Sequence, residues 1–294
     1  MPVRLGDSSS YVKHICRRPS GNILAKGMIM EEKYRRLLQT IKKYPQVAVA
    51  FSGGIDSSFL LHAARQALGP SKVHVVTVIS SLQDEFFAKR VDAFLALQFG
   101  NSCVAHKLIL DPMQWNQFVN NGRERCYICK KNMYRALKTS LSSGQGEVLI
   151  QLLDGTNKSD LEADRPGLQA LIEEEVARPL AEVGLVKGEI RLLAKKHGLA
   201  NWNLSSNSCL ATRIERGTKI SLNLLTSIEQ GERFLQGLGF SGCRVQPRAD
   251  MVLLQLQEKD IILAMQRNMR EKTLSFFTKM GFNSVFVDCL GRQS

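Results

Sequence analysis

Between Ser52 and Ser58 the chain reads Ser-Gly-Gly-Ile-Asp-Ser-Ser, a combination suited to handling phosphate. Val47–Phe51 ahead of it is a short apolar run of the kind that forms a strand buried on both faces, and Ser57–Leu61 after it opens a helix. Gly53 and Gly54 let the backbone turn without a Cβ penalty. A strand, a glycine loop and a helix N-terminus gather unpaired N–H groups around one concavity, where the helix dipole favours negative charge. Ser52, Ser57 and Ser58 add hydroxyl donors, and Asp56 is a carboxylate suited to holding Mg²⁺ beside the phosphates. The loop has neither the G-x-x-x-x-G-K-S/T pattern of a Walker loop nor the G-x-G-x-x-G pattern of a dinucleotide fingerprint. A plain strand-to-helix turn is the competing reading, because glycine and serine are common wherever chains reverse.

A second group of residues could do sulfur or metal chemistry. Cys126 and Cys129 form a C-x-x-C within RERCYICKK, and Cys209 lies in SSNSCLATRI. On spacing alone the pair fits a redox couple, half a zinc site or a turn with two buried thiols. Seven cysteines, an odd number, without an export signal suggest reduced thiols in a cytoplasmic protein. Cys16, Cys103, Cys243 and Cys289 are isolated and read as buried apolar thiols.

The elements that must position these residues alternate. Helices are expected over 31–43, 57–68, 83–100 and 189–198, with strands over 47–51, 72–79, 103–110 and 147–153 between them. This alternation implies an α/β fold with a doubly wound parallel sheet, whose ligands bind at the carboxyl ends of the strands. The glycine loop lies at one such end and Asp154-Gly155-Thr156-Asn157 at another. Beyond residue 206 a helix, a strand pair around Arg248-Ala249-Asp250, one or two helices and a last strand read as a smaller α+β domain. Residues 1–27 lack apolar periodicity and read as a disordered extension, with Met28 or Met30 beginning the folded part. The expected domains are thus 28–205 and 206–294.

Hydrophobic residues make up 44% of the 294 and charged residues 23%, which is the balance of a soluble globular protein. No run of eighteen apolar residues appears, so no membrane span is expected. The net charge of +13 admits a nucleic-acid partner. Basic residues are spread as pairs along the chain, which favours polyanionic small molecules instead.

SGGIDSS resembles the pyrophosphate loop of the PP-loop ATP pyrophosphatases, which cleave ATP to AMP and pyrophosphate and so adenylate an acceptor oxygen. Taken in order, SGGIDSS, CYICK, DGTNKSDLEADRPGLQAL, ARPLAEVGLVKGEIRLLAKKHGLANWN and SCLATRIERGTKI resemble the LarE family over about residues 28–290. These are ATP-dependent sulfur transferases of nickel-pincer nucleotide cofactor biosynthesis. The resemblance implies that a nicotinate-derived mononucleotide dicarboxylate is adenylated on a carboxyl group and converted to a thiocarboxylate, with ATP and Mg²⁺ required. It implies nucleotide or substrate contacts from Ser52, Gly53, Gly54, Asp56, Ser57, Ser58, Gly155, Thr156, Asn157, Arg165, Arg213 and Arg244. It also implies a sulfur-transferring Cys209, a separate sulfide donor and a homo-oligomer. In one branch of the family a cysteine at the position of Cys209 surrenders its own sulfur. In the other, that cysteine and a C-x-x-C hold a [4Fe-4S] cluster with one open iron. Cys126, Cys129 and Cys209 match the second branch.

The resemblance weakens in the last third. Where relatives read R-V-R, this chain has Arg244-Val245-Gln246, and Gln255 stands where an acidic residue is expected. Arg248 is a candidate to restore the missing charge. Two other functions compete. A tRNA-thiolating enzyme would need an RNA-binding module or zinc-ribbon cysteines, and an amide-forming ligase would need a glutaminase module or an N-terminal cysteine nucleophile. Neither pattern is visible in the sequence.

Overall fold

β-Branched and apolar residues dominate the first strands, and the helices between them carry apolar faces, so the chain builds a sheet covered on both sides. The structure is a computed structural model that describes residues 20–101, 103–142, 149–162, 166–204 and 208–292. Its first part runs α1 (Ser20–Lys42), β1 (Gln46–Ala50), α2 (Ile55–Leu68), β2 (Val73–Ile79), α3 (Phe87–Phe99) and β3 (Ala105–Ile109). It continues with α4 (Asn116–Val119), α5 (Arg125–Ser142), β4 (Ile150–Leu153), α6 (Lys158–Leu161), α7 (Gly167–Glu173), α8 (Pro179–Glu182) and α9 (Lys187–Lys196). The second part comprises α10 (Leu222–Gly237), β5 (Arg244–Arg248), β6 (Met251–Gln255), α11 (Glu258–Met265), α12 (Arg267–Lys279) and β7 (Ser284–Val287).

The expected doubly wound sheet is present. β1 to β4 are all parallel in the order β3-β2-β1-β4, with Val47 opposite Val73 on one side and Gln151 on the other. Alternation along β1 divides the core. Val47, Val49 and Phe51 pack with Tyr34, Leu37, Ile41, Phe59 and Leu193 of α1, α2 and α9. Ala48 packs on the opposite face with Tyr134, Leu137 and Leu171 of α5 and α7. Because β2 and β3 are added on one side of β1 and β4 on the other, the order reverses between β1 and β4. Ligands of open parallel sheets bind outside the carboxyl ends at such a reversal.

β5 and β6 form an antiparallel hairpin, and β7 adds parallel to β6. The hairpin turns at Ala249, whose φ is +52°. Leu235, Phe240, Val245, Val252, Leu254 and Phe277 make the core of this unit. A third apolar cluster joins the two parts, with Leu82, Phe118 and Val119 packed against Leu210, Ala211, Ile214, Ile220 and Ile228.

Two expectations are revised. α1 begins at Ser20, so Ser20–Gly27 of the expected 1–27 extension is helical and residues 1–19 lie outside the described residues. α5, which carries the C-x-x-C, was not anticipated because only Arg125, Tyr134 and Leu137 of its eighteen residues are buried. Among the described residues, no helix is long and apolar enough to cross a membrane.

α1, α2 and α9 meet around an imidazole pair. The His62 and His197 ring centroids are 4.9 Å apart, Tyr34 lies tilted against His197 with centroids 4.7 Å apart, and neither Nε2 has a hydrogen-bond partner. Burial holds both imidazoles below their ordinary value of 6.5, each lowered further by a neighbouring positive charge, His197 beside His62 and Lys196 beside His197. Gln66 beside His62 and Glu31 beside His197 oppose this. A group whose folded pKa is depressed takes up its proton more readily in the unfolded chain, so stability is lost as pH falls from 6.5 toward the folded values. The thermal midpoint is expected to fall between pH 7.5 and pH 5, and to fall less steeply in a His62→Gln/His197→Gln variant. Equal slopes in a calorimetric pH series would show that the pair does not contribute.

Candidate active site

The glycine loop is held by bonds behind it. The Phe51 N–H donates to the Val76 carbonyl at 2.8 Å, and buried Thr77 Oγ1 donates to the Phe51 carbonyl at 2.8 Å, so the end of β1 is fixed against β2. Gly53 turns with φ +72°, in the left-handed region. The position of its missing Cβ comes no closer than 3.9 Å to any neighbour, so backbone conformation and not space demands glycine there. Gly54 is the N-cap of α2 and offers no side-chain cap, leaving the first turn's N–H groups directed at the concavity.

The serines divide in role. Ser52 is exposed, with Oγ 3.2 Å from Ser57 Oγ. Ser57 accepts from the Ser52 N–H at 3.2 Å and donates to the Gly54 carbonyl at 3.0 Å. Ser58 is fully buried and accepts from Asn201 Nδ2 at 2.8 Å, which also donates to the Gly53 carbonyl at 3.2 Å. Ser57 and Ser58 therefore shape the loop.

Across the reversal point, the loop after β4 closes against the start of α2. A Cβ on Gly155 would meet the Ser57 backbone nitrogen at 2.9 Å, so only glycine permits this approach. Asp154 is held by Tyr134 Oη at 2.6 Å, the Thr156 N–H at 2.8 Å and Thr156 Oγ1. Its burial alone would raise the carboxyl, but Lys130, Thr156 and Tyr134 together hold it below the ordinary value. Asn157 caps α6 and donates to Asp56 Oδ1 at 3.4 Å. Lys187, at the start of α9, donates to Asp56 Oδ2. Burial raises the Asp56 carboxyl overall, with Lys187 and Asn157 lowering it and Asp160 raising it further. Lys187, Asn201 and Tyr134 were not identified from the sequence, since each reaches the site across more than a hundred residues or from another element. Arg165 lies outside the described residues.

Beside the loop, at the carboxyl end of β2, is a cavity of about 270 Å³. Ile79, Ser80, Gln83, Phe87 and Leu225 are among its lining residues.

The thiols are organised by α5. Cys126 and Cys129 lie in its first turns, and Cys126, Lys130 and Tyr134 recur every four residues along one stripe. Gly167 leaves room for the Lys130 stem, where a Cβ would stand 2.9 Å from Lys130 Cδ. Cys209 precedes the short 3₁₀ turn Leu210–Arg213, and the Leu210 N–H donates to the Leu82 carbonyl at 2.9 Å. Cys129 and Cys209 pack against the same apolar cluster. Every cysteine among the described residues is a free thiol; Cys103 and Cys243 are buried as expected, Cys289 is exposed instead, and Cys16 lies outside the described residues. Burial pushes Cys129 up to about 12, with Cys209 and Cys126 adding to the rise, and burial also raises Cys209. Among the described residues, no three His, Cys, Asp or Glu side chains stand close enough to grip a single ion.

Basic groups flank Cys209. Arg213 is buried and forms a two-pronged ion pair with Glu232 at 2.8 and 3.1 Å, while its Nη1 donates to the Ser208 and Cys209 carbonyls at 2.6 and 3.0 Å. Arg244 Nη2 donates to Ser208 Oγ at 3.2 Å, and its buried Nε has no partner. Burial lowers Arg244 to about 10, helped by the charges of Arg292 and Arg213. Arg248 does not restore the charge lost at Gln246. It is exposed at the far end of the hairpin, and Arg292 is the basic residue that reaches Arg244 instead. Gln246 Nε2 donates to Gln255 Oε1 at 2.9 Å, and Gln255 Nε2 to Asp288 Oδ2 at 3.1 Å, so the two glutamines satisfy one another and end on a carboxylate.

The chain is 31% identical to the pyridinium-3,5-bisthiocarboxylic acid mononucleotide synthase of Lactiplantibacillus plantarum, over 89% of this chain and 92% of that protein. It is 30% identical to an uncharacterized protein of Synechocystis sp., over 90% of this chain and 97% of the relative. An uncharacterized protein of Methanocaldococcus jannaschii is 27% identical, over 89% and 97% respectively. No protein-family model matches the chain.

Gly155→Ala is expected to push the first turn of α2 from its place and to destabilise the fold by about 1–3 kcal/mol, the scale of overpacking at a close contact. Chemical denaturation reads this directly. Unchanged stability would show that the Asp154–Asn157 loop does not press on that turn.

Proposed function

Because the chain belongs to the LarE family, in which the Lactiplantibacillus plantarum relative is a synthase of a pyridinium bisthiocarboxylic acid mononucleotide, we propose that it is an ATP-dependent sulfur transferase. It adenylates a carboxyl group of a nicotinate-derived mononucleotide dicarboxylate with release of pyrophosphate, and then makes the thiocarboxylate. The observation that carries this reading is the pair of contacts made by the loop after β4. Gly155 lies against the first turn of α2 behind the glycine loop, and Asp154 accepts from Tyr134 of α5, the helix that bears the C-x-x-C.

In the first half-reaction, the N–H groups of the α2 first turn and the Ser52 hydroxyl take the ATP phosphates, and the cavity after β2 takes the nucleoside. Asp56 would hold Mg²⁺. Its raised carboxyl and its pairing with Lys187 suit a group that gains from a cation, with Lys187 released to phosphate oxygens. The acceptor's anionic end lies against Arg213 and Arg244, and the unpartnered Arg244 Nε supports an anion there.

In the second half-reaction, sulfur reaches the activated carboxyl from the side of Cys209. Cys126, Cys129 and Cys209 would hold a [4Fe-4S] cluster, which when bound supplies an iron that can carry transferable sulfide. The fit rests on three free thiols whose charges act on one another and on the positive charges of Arg125 and Lys130 beside them. A separate sulfide donor is then required. The spread of basic residues along the chain supports a small polyanionic substrate over tRNA.

Two tests follow from this chemistry. Arg244→Ala is expected to raise the acceptor concentration required for pyrophosphate release roughly 10- to 100-fold, as loss of ~1.5–3 kcal/mol implies, with the ATP requirement little changed. An equal rise for ATP would move Arg244 to the nucleotide site. Alanine at Cys126, Cys129 or Cys209 is expected to abolish bound iron and sulfur transfer together, with pyrophosphate release persisting. If only Cys209→Ala is inactive, and the spent protein is lighter by about 34 Da, Cys209 displaces AMP from the adenylated carboxyl and its Cβ–S bond then breaks, leaving the sulfur on the thiocarboxylate and Cys209 as dehydroalanine, short of the elements of H₂S.

A further inference from the structure

Arg125 is a buried guanidinium whose hydrogen-bond partners are all neutral. It is 4% exposed, donates to Asn121 Oδ1 at 2.5 Å and to the Ala211 carbonyl at 2.8 Å, and forms no ion pair among the described residues. Burying a cation without an anionic partner is costly, and a fold retains one where something negative is to be bound. Arg125 precedes Cys126 in the chain, and its carbonyl partner lies two residues beyond Cys209.

The brace extends through Asn121. This residue is fully buried in the left-handed conformation at φ +56°, a conformation asparagine adopts more readily than most residues. Its Nδ2 donates to the Glu215 carbonyl at 2.7 Å and the Thr218 carbonyl at 2.8 Å, and the Gly217 N–H donates back to its carbonyl at 3.2 Å. Arg125 and Asn121 thereby grip the Cys209 segment at two points, Ala211 and 215–218, and tie it to the turn that opens α5. The charge of Arg125 also opposes the rise in the Cys129 and Cys209 thiols.

We infer that Arg125 is the positioning residue of the thiol centre, setting Cys209 against Cys126 and Cys129 and balancing the negative charge that three metal-bound thiolates bring. This rests on the proposed convergence of the three thiols on one cluster. Groups that orient metal ligands from behind typically cost 10- to 100-fold in affinity when lost.

Iron with sulfide is a suitable probe, because a cluster needs thiolates spaced by its own irons and sulfides. The full chain, anaerobic and reduced, is incubated with Fe²⁺ and sulfide and desalted, and its bound iron and acid-labile sulfide are compared with those of a Cys126→Ser/Cys129→Ser/Cys209→Ser variant to subtract non-specific iron. The native protein is expected to retain about four irons, the content of one [4Fe-4S] cluster, and Cys209→Ser little more than the triple variant. Arg125→Gln is expected to unfold cooperatively with native circular dichroism, yet to retain no more iron than Cys209→Ser. Arg125→Lys keeps the charge but not the planar fork, and is expected to fold and to lose its iron to a chelator at roughly 10- to 100-fold lower concentration. Native iron content and chelator resistance in Arg125→Lys would overturn the inference even if Arg125→Gln failed to fold. No iron in the native protein above that of the triple variant would overturn the convergence itself, which is a different failure.

Discussion

A carboxylate removed from water must be compensated by neighbours, and Asp154 is compensated from three directions at once. Tyr134 donates from α5, Thr156 donates from the loop that Asp154 begins, and the charge of Lys130 acts along the same helix. Removing any of these leaves a buried charge short of partners, which is far more costly than the loss of one surface contact. The loop after β4 is thereby fixed relative to α5. Since Gly155 lies against the first turn of α2, the glycine loop and the start of α2 are held by the same set of bonds. The glycine loop and α5 are therefore tied to one loop, with the apolar core on either side of β1 providing its rigid backing.

The parts of this arrangement legible in the sequence are local ones. The Ser52–Ser58 loop announces itself because a buried strand, two glycines and a helix start are contiguous, and the alternation of strands and helices gives the parallel sheet. What could not be read depends on distance. Lys187 meets Asp56, and Asn201 meets Ser58, only after α9 packs on α2. The polar sequence of α5 hides a helix whose inner face is set by Arg125, Tyr134 and Leu137. Arg248 was the natural candidate to offset Gln246, being two residues away, but in a strand that separation leads along the hairpin toward its exposed turn. The charge comes from Arg292, which follows the last strand.

Charge is partitioned between the two halves. At the glycine loop, Asp56 and Lys187 neutralise one another, so the electrostatic preference is left to N–H groups and the helix dipole. Around Ser208 three arginines face one buried carboxylate, Glu232. A substrate that carries negative charge at one end and a carboxyl group to be activated at the other would meet opposite requirements at its two ends. The separation of a charge-balanced loop from a cationic pocket suits that asymmetry.

The Cys126–Lys130–Tyr134 stripe makes α5 a measuring rod between the thiols and the Asp154 loop. Each residue of an α-helix advances about 1.5 Å and turns about 100°. Cys126 therefore stands about 12 Å along the axis from Tyr134 and about 80° around it. A substitution between them changes one side chain and leaves both coordinates of the rod intact. A single inserted or deleted residue does not, because it swings the thiols a quarter-turn away from Cys209 while Tyr134 remains bonded to Asp154. The region is thus tolerant of altered spelling and intolerant of altered length.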